Sequence, residues 1–328
     1  MTLNPAGGRS LPRLDARGHL ETIIPALFRR VGLSGAQMFR IGTPDGDFLD
    51  LEYYHSDGAP ALAVLSHGLE GNSRKPYMLG MAKAFLSIGW SVLAWNYRGC
   101  SGALNLRPVF YHSGASADLD TVVSHARSMG YEQIGLIGFS LGGNLLLKYL
   151  GEELWKSAGC VFGAVAISVP LDLESSCRKI SSGFNKVYEY RFLRSLENKR
   201  KLKAAQFPEE KILHGPAARS LYEFDDRYTA PLHGFCDAAD YYNRCSALNY
   251  LAGIRTKTLI MNAVNDPLLT DSCFPGREAL RSPTVEFEFP ATGGHVGFAS
   301  PGRNGHYRSE ERAAAFLQNS LKAKLKSR

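Results

Sequence analysis

The chain has 328 residues, of which 45% are hydrophobic and 21% charged, with a formal net charge of +7. This composition excludes a disordered, collagen-like or supercharged polymer and leaves a folded protein long enough for one large decorated domain or two modest ones. The basic excess gathers in 178–211 and at Lys322, Lys324, Lys326 and Arg328 with no nucleic-acid-binding module around it, so a solvated basic face and no nucleic-acid partner are expected.

The first 30 residues hold Pro5, Pro12, Asp15 and Glu21, without a positively charged start leading into a long apolar run, and no signal peptide is read. The longest apolar stretches, such as 61–65 and 91–95, fall far short of the roughly 20 residues that span a bilayer. A cytoplasmic protein without a transmembrane segment is expected, with contact at a membrane surface left open and the oligomeric state unread. Cys100, Cys160, Cys177, Cys236, Cys245 and Cys273 are scattered with no CxxC pair or zinc spacing, so reduced thiols and no metal are expected.

In chain order, 48–54 alternates and predicts an antiparallel strand. From residue 60, short apolar runs alternate with amphipathic ones, the pattern of a parallel sheet with crossover helices. Strands are predicted over 61–66, 91–96, 133–138, 163–169, 256–262 and 284–289. Helices are predicted over 76–88, 115–129, 141–150, 272–280 and 309 to about 324, where apolar residues recur at three and four. Between 171 and 231 there is no strand signal, only helical runs rich in Lys, Arg and Tyr. The predicted organisation is an N-terminal extension over 1–40 packing on the core, an α/β core over 41–170 and 232–328, and a helical cap over 171–231 inserted after the sixth core strand.

Gly138, Phe139, Ser140, Leu141 and Gly142 form GxSxG, a pattern that means little alone. Here an apolar strand precedes it and an apolar helix follows, the context of a nucleophile elbow in an α/β-hydrolase fold. The strained turn needs small neighbours, and the helix N-terminus favours developing negative charge at Ser140. A serine hydroxyl needs an imidazole to take its proton, and the imidazole needs a carboxylate to fix its tautomer. In this fold the chain order is Ser, Asp or Glu, then His. Of His214, His233, His295 and His306, only His295 lies in a loop directly after a predicted strand, and His306 is the reserve. Asp266 stands at the carboxyl end of the strand over 256–262. Asp271 is assigned to capping the next helix, and Asp225, Asp226, Asp237 and Asp240 lie in or near the insertion.

The oxyanion of acyl transfer needs two N–H donors, expected from Leu141 and from Leu69 in the loop Ser66, His67, Gly68, Leu69, Glu70. His67, which precedes Ser140, is expected to be structural, and Arg98 in the Gly-rich turn over 96–102 is expected to hold an ion pair.

These motifs together resemble the YheT-like α/β-hydrolases, relatives of the eukaryotic hydrolase-domain lipases and medium-chain ester synthases. The likeness runs through GHLET at 18–22, HGLEGNS at 67–73, NYRGCSG at 96–102, YHSG at 111–114, GFSLGGN at 138–144, SVPLDL at 168–173 and FDDRYTAPLHGF at 224–235. It implies the same three residues, Ser140, Asp266 and His295. The family often has Gln where Glu21 stands, taken as harmless, and two aspartates where Asn265 and Asp266 stand.

The function expected is hydrolysis of short- or medium-chain carboxylic esters, a small-molecule substrate, through an acyl-Ser140 intermediate with neither metal nor cofactor. The alternatives are acyl transfer to an alcohol and a catalytically silent binding protein on a hydrolase fold.

Overall fold

A strand of unbroken Val, Leu, Ile and Ala is stable only where both of its faces are covered. In the computed structural model of the chain, which describes residues 12–152, 155, 159–276, 283–299 and 305–326, the apolar runs fall at the middle of one sheet. In chain order the elements begin with helix α1 (Pro12–Phe28), then β1 (Gln37–Gly42), β2 (Phe48–Tyr54), β3 (Leu62–Ser66), α2 (Pro76–Leu86), β4 (Ser91–Asn96), α3 (Ser116–Ser128), β5 (Ile134–Phe139), α4 (Leu141–Gly151) and β6 (Val161–Ile167). The cap region follows with α5 (Leu173–Ile180), α6 (Lys186–Gln206), α7 (Leu221–Phe224), a π-helical turn Asp225–Thr229, α8 (Ala230–Leu232) and α9 (Ala238–Cys245). The chain closes with β7 (Lys257–Met261), β8 (Val285–Glu288) and α10 (Arg308–Lys326).

The sheet order is β1-β2-β4-β3-β5-β6-β7-β8, parallel from β4 to β8, with β1 and β2 antiparallel at one edge. β3, β4, β5 and β6 are buried at every position, and separate apolar clusters fill the two faces of the sheet. The architecture is the mostly parallel, helix-flanked sheet that the alternation predicts, with the helical insertion after β6. Predicted and observed strand ends agree to within about two residues, the usual ambiguity of element ends. Of the helix predicted over 272–280, a 3-10 turn Asp271–Cys273 is present and 277–280 lie outside the described residues.

Two elements were not foreseen. β1 is an edge strand with a half-covered face: Phe39 and Ile41 pack on the core, while Arg40 points out to Asp50 at 2.7 Å and lies over the Phe48 ring. α1 runs through Pro25, and its inward residues are small or polar, so it carries no core-facing apolar stripe to read.

The basic cap is not simply a solvated face. Arg200 is buried against Glu197 at 2.8 Å, Lys203 reaches the carbonyls of Asn105 and Arg107, and Lys199 points inward to Glu70. Their aliphatic stems extend the cap's apolar packing while the charged heads find acceptors. That cap cluster includes Leu173, Leu196, Leu213, Leu221, Phe224 and Tyr228, and α9 adds Tyr241, Tyr242 and Cys245 to it.

Candidate active site

The turn from β5 into α4 puts Ser140 at φ 51°, ψ −119°, a conformation that costs about 1–3 kcal/mol for a non-glycine residue and persists only when its surroundings fix it. They do. The Ser140 N–H donates to the Ile167 carbonyl at 2.8 Å, and the Ser140 carbonyl accepts from Asn144 N–H at 3.0 Å. A Cβ at Gly138 would stand 2.3 Å from the Gly142 carbonyl oxygen, and one at Gly142 would stand 2.5 Å from that of Ser66, so the turn closes only with glycine at both.

His295 and Asp266 come to this turn from the loops after β8 and β7. His295 Nδ1 lies 2.8 Å from Asp266 Oδ2, and His295 Nε2 lies 3.0 Å from Ser140 Oγ. A carboxylate only accepts, so the proton of neutral His295 sits on Nδ1 and Nε2 is left to accept from the serine hydroxyl. The Asp266 side chain is fully buried and its second oxygen accepts from Leu268 N–H at 2.9 Å. The three residues singled out from sequence are thus joined in one hydrogen-bonded series.

What aims the histidine was not foreseen. Four consecutive amides of its loop each donate to a different side chain: Gly293 to Glu21 (2.8 Å), Gly294 to Asn265 (3.1 Å), His295 to Thr22 (2.8 Å) and Val296 to Ser168 (2.8 Å). Asn265 Nδ2 donates to the same Glu21 carboxylate at 2.9 Å, so Asn265 links α1 to the loop. Val296 at φ 61° and Phe298 at φ 42° show that the loop is held in an unfavourable backbone conformation. Burial works to raise the Glu21 pKa, but hydrogen bonds from Asn265, Arg17 and Gly293 outweigh it and hold the carboxyl below its ordinary range. The GHLET segment at 18–22 was the available signal, and Glu21, taken as a harmless variation, is part of the support.

The two predicted oxyanion donors border the same space. In the loop after β3, Gly68 N–H donates to Tyr77 Oη at 3.0 Å and Glu70 N–H to Tyr111 Oη at 2.8 Å, while Leu69 N–H between them has no acceptor among the described residues. Leu141 N–H, at the first position of α4, likewise has none. Glu70 itself sits at φ 51° with its carboxylate gripped from the cap: Lys199 Nζ donates to Oε1 at 2.8 Å, and Ser195 Oγ donates to Oε2. Tyr111 Oη donates to Oε1 as well, at 2.8 Å. Helix α6 therefore holds the loop that presents Leu69 N–H.

The remaining singled-out residues fall elsewhere. His67 is fully buried beneath the loop, with Nδ1 donating to the Gly68 carbonyl at 2.8 Å and Nε2 accepting from Tyr97 N–H at 3.2 Å. Burial, with help from Lys199 and Lys75, pushes its pKa down to about 3, so it stays a neutral structural group. Arg98 forks onto Asp118 at 2.6 and 2.8 Å and reaches Asp45 at 2.7 Å, pinning its turn. His306 lies 3.7 Å from Glu310, and Asp271 opens the 3-10 turn after β7.

Above Ser140 and His295 opens a pocket whose outline, open solvent included, takes in about 880 Å³. Leu69, Phe110, Leu173, Phe192, Leu196 and Leu268 give it an apolar wall, so cap and core enclose it together. One half-buried carboxyl intrudes: Asp225, in the π-helical turn, accepts from Thr229 Oγ1 and Tyr242 Oη, and desolvation pushes its pKa up to about 6. Among the described residues no group of three or more His, Cys, Asp or Glu side chains is arranged to hold a metal, and no helix is long and apolar enough to cross a membrane.

Residues 64–300 match the alpha/beta hydrolase fold family. The chain is 36% identical over 288 residues to Escherichia coli YheT, named as a candidate esterase, across 85% of this chain and 84% of that protein. It is 28% identical over 271 residues to human phospholipase ABHD3, across 79% of this chain and 65% of that protein. Among solved structures, the Pyrococcus furiosus esterase Pf2001 superposes with a TM-score of 0.60 at 18% identity, covering 89% of this chain and 98% of that one, a likeness of fold.

Proposed function

The chain belongs to the α/β-hydrolase fold family and, within it, to the YheT-like group, and from that premise we propose that it hydrolyses carboxylic esters through an acyl-Ser140 intermediate. The observation that carries the reading is the hydrogen-bonded series Ser140, His295, Asp266 at the floor of an apolar pocket. YheT and the Pyrococcus protein are named as esterases and ABHD3 as a phospholipase, names that agree with ester cleavage.

In this reading an acyl ester seats its chain along the apolar wall, with its carbonyl carbon above Ser140 Oγ. Oγ attacks the carbon as its proton passes to His295 Nε2, and Asp266, remaining ionised, stabilises the imidazolium through Nδ1–H. The oxyanion takes the N–H groups of Leu69 and Leu141, each such donor being worth about 3–4 kcal/mol in the transition state. Collapse breaks the ester bond and the alcohol leaves with the proton from Nε2. A water then gives a proton to Nε2 and attacks the acyl carbon, and collapse of the second tetrahedral intermediate returns the proton to Oγ and releases the acid. The pocket suits short or medium acyl chains, and 171–231 acts as the cap that controls which acceptor reaches the acyl-enzyme.

A fluorophosphonate probe tests the reading directly. Mass spectrometry is expected to find the phosphonyl adduct on Ser140, with a maximum of hydrolytic rate among short or medium p-nitrophenyl esters. An unlabelled Ser140 in folded protein would overturn it. Added alcohol separates the acceptors, since acyl transfer would show as new ester in place of free acid.

Two positioning residues give further expected results. Glu21→Ala leaves the Gly293 amide without its acceptor, and kcat is expected to fall roughly ten- to a hundredfold with KM little changed, because misplacement of a reacting group by about 1 Å costs on that order. Glu21→Gln keeps an acceptor without the charge and should turn over at a rate between those of wild type and Glu21→Ala. The sign on pH follows from the depressed pKa: the carboxylate clamp is complete above the ordinary range and is lost only as pH falls through the lowered value. A rate profile in which wild type and Glu21→Gln share their acid limb would exclude Glu21 as its cause.

Lys199→Met strands the Glu70 carboxylate in the interior, a loss on the order of 3–5 kcal/mol in stability. The double variant Glu70→Gln/Lys199→Met removes the stranded charge and is expected to fold, yet to turn over roughly tenfold or more slowly because Leu69 N–H is no longer held. Its affinity for a boronic acid, which imitates the tetrahedral state, should fall by a similar factor. Unchanged boronic acid affinity would show the pair to be merely structural.

A further inference from the structure

Surface helices bury their apolar side, and α1 does the reverse. Gly18, Glu21, Thr22, Pro25 and Arg29 face the protein, where a Cβ at Gly18 would stand 2.0 Å from the Asn265 carbonyl oxygen and Arg29 pairs with Glu310 at 2.6 Å. Leu20, Ile24, Leu27 and Phe28 form one outward stripe, 49% to 72% exposed.

The stripe continues beyond α1. The His19 ring packs 4.6 Å from Phe184 and hydrogen-bonds Tyr188 Oη at 3.0 Å, joining α1 to the start of the cap, where Phe184, Val187 and Tyr190 are exposed. On the other flank Val264 is exposed beside Asn265, the residue Glu21 holds. Eight of the thirteen large apolar side chains exposed among the described residues therefore lie on these segments, a concentration that scattered surface apolars do not show.

Among the described side chains of these segments, the exposed charges have one sign. Arg30, Lys186, Arg191 and Arg194 are exposed, whereas Glu189 is buried and Glu21 is occupied by the His295 loop. A second copy meeting this face symmetrically would set like charges together. We infer that the outer faces of α1 and the first half of α6 form a docking surface for an anionic lipid–water interface. Apolar side chains enter the headgroup boundary while the cations meet phosphate, each contributing about 1 kcal/mol near such a surface. The placement suits delivery of an ester from the interface, because Phe192 and Leu196 on the inner side of α6 line the pocket.

The full chain is tested by co-sedimentation with vesicles of about one-third phosphatidylglycerol in phosphatidylcholine and with phosphatidylcholine alone. Wild type is expected to bind the anionic vesicles, and to bind more weakly when phosphatidylglycerol is omitted or salt is raised. The exposed triple variant Ile24→Ser/Leu27→Ser/Val187→Ser should lose roughly tenfold or more of that partitioning, and Lys186→Glu/Arg191→Glu/Arg194→Glu as much or more. Ser140→Ala should bind like wild type, which separates failure of the surface from failure of the esterase reading. Wild type that stays in the supernatant with both vesicles, variants that bind as wild type does, or a dimer in sedimentation velocity that the apolar triple variant dissolves would each overturn the inference.

Discussion

Ser140→Ala is expected to lower kcat for p-nitrophenyl esters roughly a millionfold, to the residual rate given by the oxyanion donors and binding alone. Alanine keeps the Ser140 N–H bond to Ile167 and the carbonyl bond from Asn144, so the elbow and the fold should survive. Only the nucleophile and its hydrogen bond to His295 Nε2 are removed. KM should therefore change far less than kcat. His295→Ala should cost a comparable factor, and the double variant should be scarcely slower than either, because the two residues act as one unit. Full multiplication of the two losses would mean that they act independently. A folded Ser140→Ala protein with wild-type turnover would remove the acyl-serine mechanism altogether.

Asp266→Asn is expected to reduce kcat roughly ten-thousandfold with little change in size or burial. The substituted amide can turn an N–H toward His295 Nδ1, which makes Nδ1 the acceptor and moves the imidazole proton to Nε2. A protonated Nε2 cannot take the Ser140 proton, so the series of bonds is intact in shape and reversed in sense. The Asp266 side chain is fully buried, so solvent cannot substitute for it. Thermal unfolding measured beside the kinetics separates the two effects: a loss of rate without a matching loss of stability is the expected pattern. Near-normal kcat in Asp266→Asn would require another carboxylate to orient the histidine.

How much of this was legible in the sequence depended on how local each signal is. The central strands are apolar without interruption because both sheet faces are covered, and that requirement writes itself into consecutive residues. GxSxG is equally local, since strand, tight turn and helix fall within about a dozen positions and Gly138 and Gly142 answer to backbone approaches of 2.3 and 2.5 Å. Edge strand β1 and helix α1 lack such a signature. One has a single half-covered face, and the other turns its apolar side outward.

The supports of the site are the least local features. Glu21 meets Gly293 across 272 positions and Lys199 meets Glu70 across 129, through contacts that leave no periodicity at either end. By itself the sequence determined the class of fold, the order along it of the residues proposed as nucleophile, acid and base, and the loops that carry them. The tertiary structure alone decided which amides remain without acceptors, which cations of the cap turn inward, and which helix braces the histidine loop. These are set by the summed path of the whole sheet, and a hydrogen bond only about 3 Å long depends on that path far more closely than a pattern of burial does.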